Sequence, residues 1–332
     1  MIIPSIDLMN GKAVQLRQGK EKVLERENVL DLVIEFRKYG EIAVIDLDAA
    51  FGKGDNLDLI KKICKIADCR VGGGIRTLEK ANEILQAGAR KIIIGTKATP
   101  AFLKQLPKER IIVAIDAKDG YVVNYGWTRK TKETPKKLIK KLESYCAEFL
   151  FTDVNREGLM KGIDYSKAKR IRESNKNKLT FAGGITYISE IKWLEEQGMN
   201  SQLGMSVYTG KISLPEAFAS ILDFDKNNGL VPTIVQDDQK QVLMLAFSNK
   251  ESLLRTLKES KATYFSRSRN RLWTKGESSG NIQEILNVKY DCDRDTLLFT
   301  VKQKNIACHE GTYSCFGEKE FSFEELYGII QD

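Results

Sequence analysis

The stretch Ile2-Ile3-Pro4-Ser5-Ile6-Asp7 decides the fold, because a close copy, Ile111-Ile112-Val113-Ala114-Ile115-Asp116, follows about 109 residues later. The run Gly73-Gly74-Ile75, placed before a helical stretch, returns in the same way as Gly183-Gly184-Ile185. A repeat of this length is too long for one turn of a solenoid, so each copy is predicted to be half of one domain. Two halves closing on each other would give a barrel with pseudo-twofold symmetry.

Short β-branched runs alternate with amphipathic helical stretches over residues 1–222. The strand candidates are residues 2–6, 42–46, 69–71, 91–94, 111–115, 149–152, 179–181 and 201–203. Eight strands separated by helices are typical of a parallel (β/α)8 TIM barrel, and an open doubly wound sheet is the other parallel arrangement. The repeat, to which residues 91–96 and 202–206 add a weaker third pair, favours the barrel.

A polar, turn-rich stretch at 223–229 ends this pattern and is predicted to be a linker. The elements predicted beyond it are two strands, a helix and a short acidic helix, at 233–236, 242–246, 250–258 and 324–330. Residues 230–332 are therefore predicted to form a smaller α+β domain. Two domains are also what a chain of 332 residues is expected to hold.

The chain carries no sign of a membrane span or of an export signal. No run of about 18 apolar residues occurs, and the first residues lack the basic region and long apolar run of a signal peptide. Six unevenly spread cysteines do not resemble the framework of a small secreted protein. These features predict a cytoplasmic protein without a membrane partner.

The formal charge of +8 has two interpretations. A basic chain can bind nucleic acid, but the lysines are scattered through amphipathic helices, as at 136–141, without an aromatic-basic recognition motif. Solvated helix faces explain most of them, so no nucleic-acid partner is expected. A modest positive field would also attract a small phosphorylated substrate.

In a barrel of this type the active site lies at the carboxyl ends of the strands, where Asp7 and Asp116 are predicted. Two opposed carboxyl groups suit paired acid–base work, whereas a lone strand-ending aspartate usually only caps the next loop. Backbone N–H groups in glycine-rich loops before helices bind phosphate. Two symmetric sets suggest a ligand with a phosphate at each end, and they comprise Gly73, Gly74, Gly95, Thr96, Gly183, Gly184, Gly204 and Ser206.

A cluster of potential metal ligands lies near the end of the sequence. If residues 291–301 form a strand, Asp291, Asp293 and Asp295 share one face and imply a hard cation such as Mg²⁺. Cys292, on the other face, could join Cys308 and Cys315 on Zn²⁺ and leave a fourth position for water. Solvated acids and small buried cysteines are the alternative, but the combination favours a metal-dependent hydrolytic site.

Residues 1–222 resemble the isomerase of histidine biosynthesis that converts ProFAR to PRFAR, a bisphosphorylated aminoimidazole carboxamide ribotide. The matching segments are IPSIDLMNGKAVQLRQG at 3–19, VGGGIRTLE at 71–79, IIIGT at 92–96, VAIDAKDG at 113–120 and YGW at 125–127. The resemblance implies an Amadori rearrangement, in which Asp116 as general acid opens the aminoaldose ring and Asp7 as general base removes the proton at C2.

The same resemblance implies further site residues. Arg17, Arg76 and Thr152 would lie near the substrate, and Trp127 in a loop that closes over it. Two runs depart from the family pattern: Arg156-Glu157-Gly158 stands where Arg-Asp-Gly is usual, and Leu203-Gly204-Met205-Ser206 is atypical.

Residues 229–330 resemble phosphoribosyl-AMP cyclohydrolase. The matching runs are LMLAF at 243–247, SRSR at 266–269, LW at 272–273, KGESSGN at 275–281, DCDRD at 291–295 and ACHEGTYSC at 307–315. The resemblance implies Zn²⁺ on Cys292, Cys308 and Cys315, and Mg²⁺ on Asp291, Asp293 and Asp295. It also implies a homodimer in which Cys292 of one subunit meets the other two cysteines of its partner.

The implied reaction is hydrolysis at C6 of the adenine ring of phosphoribosyl-AMP, which breaks the N1–C6 bond. His309 is either a proton shuttle or a hydrogen-bonded neighbour of the metal. Arg267, Arg269 and Lys275 could hold the substrate phosphate, or form a solvated basic hairpin.

The product of the cyclohydrolase is the substrate of the isomerase, so the chain is predicted to carry two consecutive steps of histidine biosynthesis. Two alternatives concern the barrel. It could act as the ammonia-using cyclase that shares its fold and both aspartates, or as a phosphate-binding scaffold for an active cyclohydrolase.

Overall fold

A computed structural model of the protein describes residues 1–316. The chain divides into two compact units, Met1–Ile221 and Leu222–Asp332. The acidic helix predicted at 324–330 lies outside the described residues.

The first unit is a closed barrel of eight parallel strands, β1, β4, β5, β6, β7, β10, β11 and β12. Its twelve strands are β1 Ile2–Met9, β2 Lys12–Arg17, β3 Glu21–Arg26, β4 Ile42–Asp46, β5 Cys69–Gly72, β6 Lys91–Ile94, β7 Ile111–Lys118, β8 Tyr121–Asn124, β9 Arg129–Lys130, β10 Glu148–Asp153, β11 Lys178–Ala182 and β12 Asn200–Leu203. Pairing of β7 with β10, from Ile112↔Glu148 to Ala117↔Asp153, closes the ring. The barrel prediction is confirmed, and the open sheet is excluded.

The segments between the barrel strands form helices because the apolar residues of these segments recur at helical spacing. α3 buries Ile60 and Ile63, and α4 buries Ala81 and Ile84. The ten helices described in this unit are α1 Val29–Phe36, α2 Leu47–Phe51, α3 Leu57–Cys64, α4 Leu78–Gln86, α5 Pro100–Leu103, α6 Pro135–Leu142, α7 Tyr165–Glu173, α8 Ile188–Glu196, α9 Met205–Tyr208 and α10 Leu214–Ser220. Such amphipathic stripes pack the helices onto the outside of the barrel.

The inside of the barrel is filled, so a ligand has access only from an end. A cluster of Ile93, Ile112, Leu150 and Ala182 occupies its middle. At the amino ends of the strands, fully buried Arg70 donates to Glu148 at 2.6 Å and to Thr180 at 3.1 Å. This buried charge network closes the barrel at the amino ends of its strands. A ligand can therefore enter only at the carboxyl ends of the strands.

The repeat in the sequence is a repeat in the structure. Gly73 and Gly183 have φ values of +99° and +96°, a region that favours glycine. A Cβ at these positions would lie 2.1 Å from Asp46 O and 2.6 Å from Asp153 O. Each glycine therefore packs on the end of the preceding barrel strand. Each half of the barrel also contains a hairpin. β2 pairs with β1 in antiparallel fashion, with Val14 opposite Asp7, and β8 pairs with β7 in the same way, with Val122 opposite Ala117.

The second unit is a small α+β domain with a four-stranded sheet in the order β14-β13-β18-β17. Its elements are β13 Val231–Asp237, β14 Val242–Ser248, α11 Lys250–Glu259, β15 Thr263–Ser266, β16 Arg271–Thr274, β17 Gln283–Tyr290 and β18 Leu297–Gln303. β13 pairs with β18 in parallel, and β15 and β16 form a separate hairpin. The two strands and the helix predicted in this unit's described residues are confirmed.

The predicted strand at 291–301 is wrong in its first half, because β18 begins only at Leu297. Asp291 instead accepts backbone hydrogen bonds from Asp295 at 3.1 Å and Thr296 at 3.2 Å. Arg294 has a φ of +65°. An aspartate that binds backbone N–H groups ahead of it favours a turn over a strand. The alternation that placed Cys292 opposite the aspartates therefore does not exist.

Among the residues that the structure describes, no helix is both long enough and apolar enough to cross a membrane.

Candidate active sites

A cavity opens at the carboxyl ends of the barrel strands and brings together nearly all the residues predicted for this site. The predicted residues that line it are Asp7, Gly73, Gly74, Arg76, Gly95, Thr96, Asp116, Trp127, Thr152, Gly183, Gly184, Gly204 and Ser206. Arg17 is not brought there: its side chain is exposed and pairs with Glu21 at 3.1 Å.

Asp7 lies near the end of β1, where strand alternation turns its side chain toward the cavity. Ser5, two residues earlier on the same strand, donates a hydrogen bond to Asp7 Oδ1 at 3.0 Å. Burial raises the pKa of Asp7 to about 6, against the lowering effect of that hydrogen bond. A carboxyl group with this pKa is ionised at neutral pH but remains basic enough to take up a proton.

Asp116 occupies the equivalent place on β7, with different neighbours. Burial raises its pKa, while hydrogen bonds from the side chains of Trp127 and Thr152 work in the opposite direction. Thr152 comes from the neighbouring strand β10, where it pairs with Asp116 in register. Two donors therefore fix the orientation of this carboxyl group, and a raised pKa favours its holding a proton.

Glu157 is a third carboxyl group in the cavity, which the sequence showed only as a departure from a family pattern. It lies in the loop after β10, and the backbone carbonyl of Glu157 accepts a hydrogen bond from Gln18 N–H at 3.2 Å. Burial, followed by repulsion from Asp7, Asp116 and Asp153, raises the pKa of Glu157 to about 8. The side chain is consequently neutral at pH 7.

The loop that carries Trp127 lies over the cavity. Tyr125 N–H donates to Thr96 Oγ1 at 3.2 Å, which ties the loop to the end of β6. Tyr125 and Trp127 both have positive φ values, of 53° and 67°. Tyr125 also stacks against Arg129, whose guanidinium carbon is 4.7 Å from the ring centroid. The loop is thereby held where it can keep water away from Asp116.

Loops at the two repeat-related glycine pairs line opposite parts of the cavity. Arg76, after the first pair, donates to the carbonyl oxygens of Ala49 at 3.0 Å and Ala50 at 2.6 Å. Its guanidinium thus holds the short helix α2 as well as lining the site. Nine-residue helices α4 and α8 follow the two glycine pairs, which gives both ends of the cavity the loop-to-helix geometry that binds phosphate.

Three acidic residues of the second unit lie close together in the turn before β18. One carboxylate oxygen from each of Asp291, Asp293 and Asp295 lies within 4.8 Å of the others. Lys226 Nζ is 2.5 Å from both Asp293 and Asp295, and hydrogen bonds to these carboxylates raise the pKa of Lys226. The ammonium group of Lys226 therefore lies among these carboxylate oxygens. Carboxylate oxygens are also the ligands that Mg²⁺ prefers.

Two of the three predicted zinc ligands are neighbours. The side chains of Cys308 and Cys315 hydrogen-bond to each other. Hydrogen bonds from the Glu310 backbone and then from Thr312 lower the pKa of Cys308, which favours the thiolate that binds metal. Cys292 is exposed in the acidic turn, 3.9 Å from Asp293 Oδ1. Within residues 1–316 of one chain, the three cysteines do not form one metal-ligating group.

The predicted phosphate ligands lie on and after the hairpin of β15 and β16. Lys275 is close enough to Cys308 and Cys315 for their charges to act on its pKa, which burial lowers overall. Arg267 lies 3.7 Å above the ring of Phe247, and Arg269 donates to Ser266 at 3.2 Å. His309 is exposed. Lys275 thus lies near the cysteine pair, and the role of His309 stays a prediction.

Several lining residues carry no recognisable signal in the sequence. Ser5, Gln15 and Gln202 are polar residues on strands, where a single sequence gives no reason to separate them from ordinary strand residues. Glu157 could have been found from its position in the loop that follows β10, because the loops at the carboxyl ends of barrel strands carry active-site residues.

Two sequence families match the chain. The histidine biosynthesis protein family matches residues 1–213, and phosphoribosyl-AMP cyclohydrolase matches residues 244–317. The two matches correspond to the barrel and to most of the second unit.

Three relatives of the barrel share the name 1-(5-phosphoribosyl)-5-((5-phosphoribosylamino)methylideneamino) imidazole-4-carboxamide isomerase. The relative from Methanocaldococcus jannaschii is 40% identical over 230 residues, which are 65% of this chain and 97% of the relative. That from Methanosphaera stadtmanae is 35% identical over 232 residues, 65% of this chain and 98% of the relative. That from Alkaliphilus metalliredigens is 34% identical over 230 residues, 64% of this chain and 96% of the relative.

Proposed function

The chain belongs to the histidine biosynthesis protein family, and we propose that it catalyses two consecutive steps of that pathway. The second unit opens the adenine ring of phosphoribosyl-AMP to give ProFAR, and the barrel isomerises ProFAR to PRFAR. The observation that carries the barrel activity is the pair Asp7 and Asp116, placed in one cavity by repeat-related strands.

The two aspartates divide the isomerisation between them. Asp116, held by Trp127 and Thr152, gives a proton to the ring oxygen of the aminoaldose and so opens the ring. Opening breaks the C1–O bond and leaves a C1–N double bond. Asp7, ionised at neutral pH, then removes the proton at C2, and the electrons of that C–H bond form a C1–C2 double bond while the C1–N bond becomes single. The resulting enolamine takes a proton at C1 and loses the proton of its C2 hydroxyl group, which gives the ketose. The glycine loops at the two ends of the cavity hold the two phosphates, which fixes the reacting carbon between the carboxyl groups.

The three barrel relatives reported above carry the isomerase name, so an ammonia-dependent cyclase is not favoured. The scaffold alternative has no support from the cavity, because both carboxyl groups and both glycine sets are present in it. Adding ProFAR to the protein tests this step. PRFAR is expected to form at the same rate with and without ammonia, whereas ammonia-dependent consumption of PRFAR would contradict an isomerase.

We propose that the second unit uses Zn²⁺ held by Cys308 and Cys315 together with Cys292 of a partner subunit. The proposal is supported by the contact between the first two thiols and by the separate location of Cys292 in an exposed turn. Asp291, Asp293 and Asp295 would hold Mg²⁺. When bound, zinc supplies activated water for hydrolysis at neutral pH.

The protein's own groups position the nucleotide for this hydrolysis. Lys275, beside the cysteine pair, and Arg267 and Arg269 on the hairpin offer cationic donors for the phosphate. In this proposal His309, directly after Cys308 in the sequence, moves a proton near the adenine ring. All six cysteines are free, in keeping with a reducing compartment, and we place the enzyme in the cytoplasm.

A further inference from the structure

Gln15 is a buried polar residue in the barrel cavity that the proposed acid–base steps do not use. It lies in β2, lines the cavity, and is only 2% exposed. Among residues 1–316, no group accepts a hydrogen bond from its Nε2 atom. Buried amides nearly always have partners, because an unpaired donor loses its hydration without compensation. An unpaired donor in a binding cavity therefore indicates a ligand oxygen.

The geometry identifies which end of the cavity Gln15 serves. Its amide lies against Gly204, where a Cβ would come within 2.7 Å of Gln15 Oε1 and 3.6 Å of Nε2. Gly204 directly follows β12 and Ser206 lies in the first turn of α9, and this Gly204–Ser206 segment also lines the cavity. Gln202, on β12 itself, has a buried Oε1 without a donor among the described residues. This wall of the cavity thus offers one unused donor and one unused acceptor.

We propose that Gln15 is a substrate-positioning residue whose Nε2 donates to a phosphate oxygen held by the Gly204–Ser206 segment. The inference rests on the proposed isomerase activity, because a bisphosphorylated substrate brings a phosphate to this segment. The unpaired Oε1 of Gln202 accepts from a hydroxyl group of the same sugar phosphate. Gln15 touches no reacting atom and acts on the orientation of the bound substrate.

The test compares Gln15→Met, which has a similar shape and no donor, with wild type. Gln15→Met loses a hydrogen bond to a charged phosphate, so its KM for ProFAR is expected to rise about 10- to 100-fold while its kcat changes little. Inorganic phosphate, used as a competitive inhibitor, is expected to bind more weakly by a similar factor. Gln15→Glu is expected to raise KM further, since its carboxylate repels the phosphate.

A purely structural role for Gln15 predicts a different result. Removing an unpaired buried amide should leave the melting temperature of ligand-free Gln15→Met unchanged or raise it, whereas a structural residue would lower it. Gln86→Met, on an exposed position of α4, is the matched control. An unchanged KM and an unchanged phosphate inhibition constant in folded Gln15→Met would overturn the proposal.

Failure of the proposed function gives a distinguishable result. If wild type does not isomerise ProFAR, calorimetric titration of inorganic phosphate into wild type and Gln15→Met still decides whether Gln15 binds phosphate. Should Gln15→Met fail to fold, Gln15→Asn, whose amide is one methylene too short to reach the same oxygen, is measured in the same two assays and is expected to show the same weakening.

Discussion

Asp7 and Asp116 are the same residue type at equivalent positions of a repeat, and their surroundings differ. Asp7 receives one hydrogen bond from Ser5 on its own strand. Asp116 receives two, from Trp127 in a loop and Thr152 on the neighbouring strand. The asymmetry allows one carboxyl group to act as base and the other as acid, although the barrel halves are related by symmetry.

Asp7→Asn is expected to stop isomerisation and to leave the cyclohydrolase step intact. An amide keeps nearly the same shape and cannot accept the sugar proton, and an acid–base group typically contributes about 10²–10⁴-fold. Supplied with phosphoribosyl-AMP, the variant should accumulate ProFAR, which chromatography would measure.

The control for this variant is Asp58→Asn, an exposed aspartate on α3. It should turn over both substrates at the wild-type rate. Near-normal formation of PRFAR by Asp7→Asn would show that another group removes the proton.

The pH profile of the isomerase reports these carboxyl groups. Asp7 must be ionised to act as base, so kcat/KM should fall as the pH drops below its pKa of about 6. Above about 8, Glu157 becomes ionised and adds a negative charge to a cavity that binds a bisphosphate. Glu157→Gln should keep the acidic limb and move the alkaline fall to higher pH. An alkaline limb that is identical in this variant would exclude Glu157 as its cause.

Glu157 also links pH to stability. Its folded pKa of about 8 lies above the usual 4.5, so its contribution to stability is fully present below pH 4.5 and is lost as the pH rises through 8. Glutamine stays neutral throughout. The melting temperature of Glu157→Gln relative to wild type should therefore increase between these two pH values. A constant difference would contradict the raised pKa.

At the scale of elements, the acidic turn shows how local chemistry overrides a pattern. Hydrophobic residues at 297–301 correctly predict β18, but backbone bonds to Asp291 turn the preceding residues out of the strand. The turn still gathers the three aspartates, and Lys226 from the predicted linker stretch reaches two of them. The backbone adds a second contact, from Asp223 N–H to Arg294 O at 2.8 Å.

Lys226→Met is expected to strengthen Mg²⁺ binding to the second unit. The lysine ammonium competes for the oxygens of Asp293 and Asp295, and both ion pairs are solvent-accessible, so the gain should be modest, about 2- to 10-fold. Calorimetric titration with Mg²⁺ measures it, with Lys258→Met on the exposed side of α11 as the control. Weaker Mg²⁺ binding in Lys226→Met would show that the lysine supports the site instead.

Cys308→Ser is expected to abolish ring opening and to spare isomerisation of added ProFAR. Serine is a poor ligand for zinc, so the site should empty, and zinc content should fall from about one per chain. Dimerisation should weaken as well, because a metal shared between subunits couples its binding energy to assembly. Stoichiometric zinc and full hydrolysis in this variant would contradict the proposed ligand set, and an unchanged dimer would contradict sharing between subunits.

The matched control is Cys146→Ser, a buried cysteine in the barrel. It should keep its zinc and its cyclohydrolase activity. Measuring both variants separates loss of the metal from a general effect of replacing a thiol.

The barrel elements can be predicted closely because buried parallel strands carry continuous β-branched runs. The runs at 42–46 and 91–94 coincide with β4 and β6. The hairpin strands β2 and β8 are not among the predicted elements, although the dipeptides before them, Asn10-Gly11 and Asp119-Gly120, are typical of two-residue hairpin loops. The repeat identifies the two aspartates. Gln15 has no repeat partner in its role, and only packing reveals it.

At the scale of the molecule, one chain carries two compact units with separate chemistry. The order of the units, isomerase before cyclohydrolase, is the reverse of the reaction order. The residues proposed for each site lie within the described part of one unit, with the exception of the zinc ligand proposed from a partner. Loss of one activity should therefore leave the other measurable, as the Asp7→Asn and Cys308→Ser variants require.

The most direct test is a two-step assay of the full chain from phosphoribosyl-AMP, with zinc and magnesium content measured on the same sample. ProFAR should appear first and PRFAR after it, without ammonia, and removal of zinc by a chelator should stop the first step while added ProFAR is still converted. Formation of ProFAR that is never isomerised, or ring opening by a metal-free protein, would contradict the account.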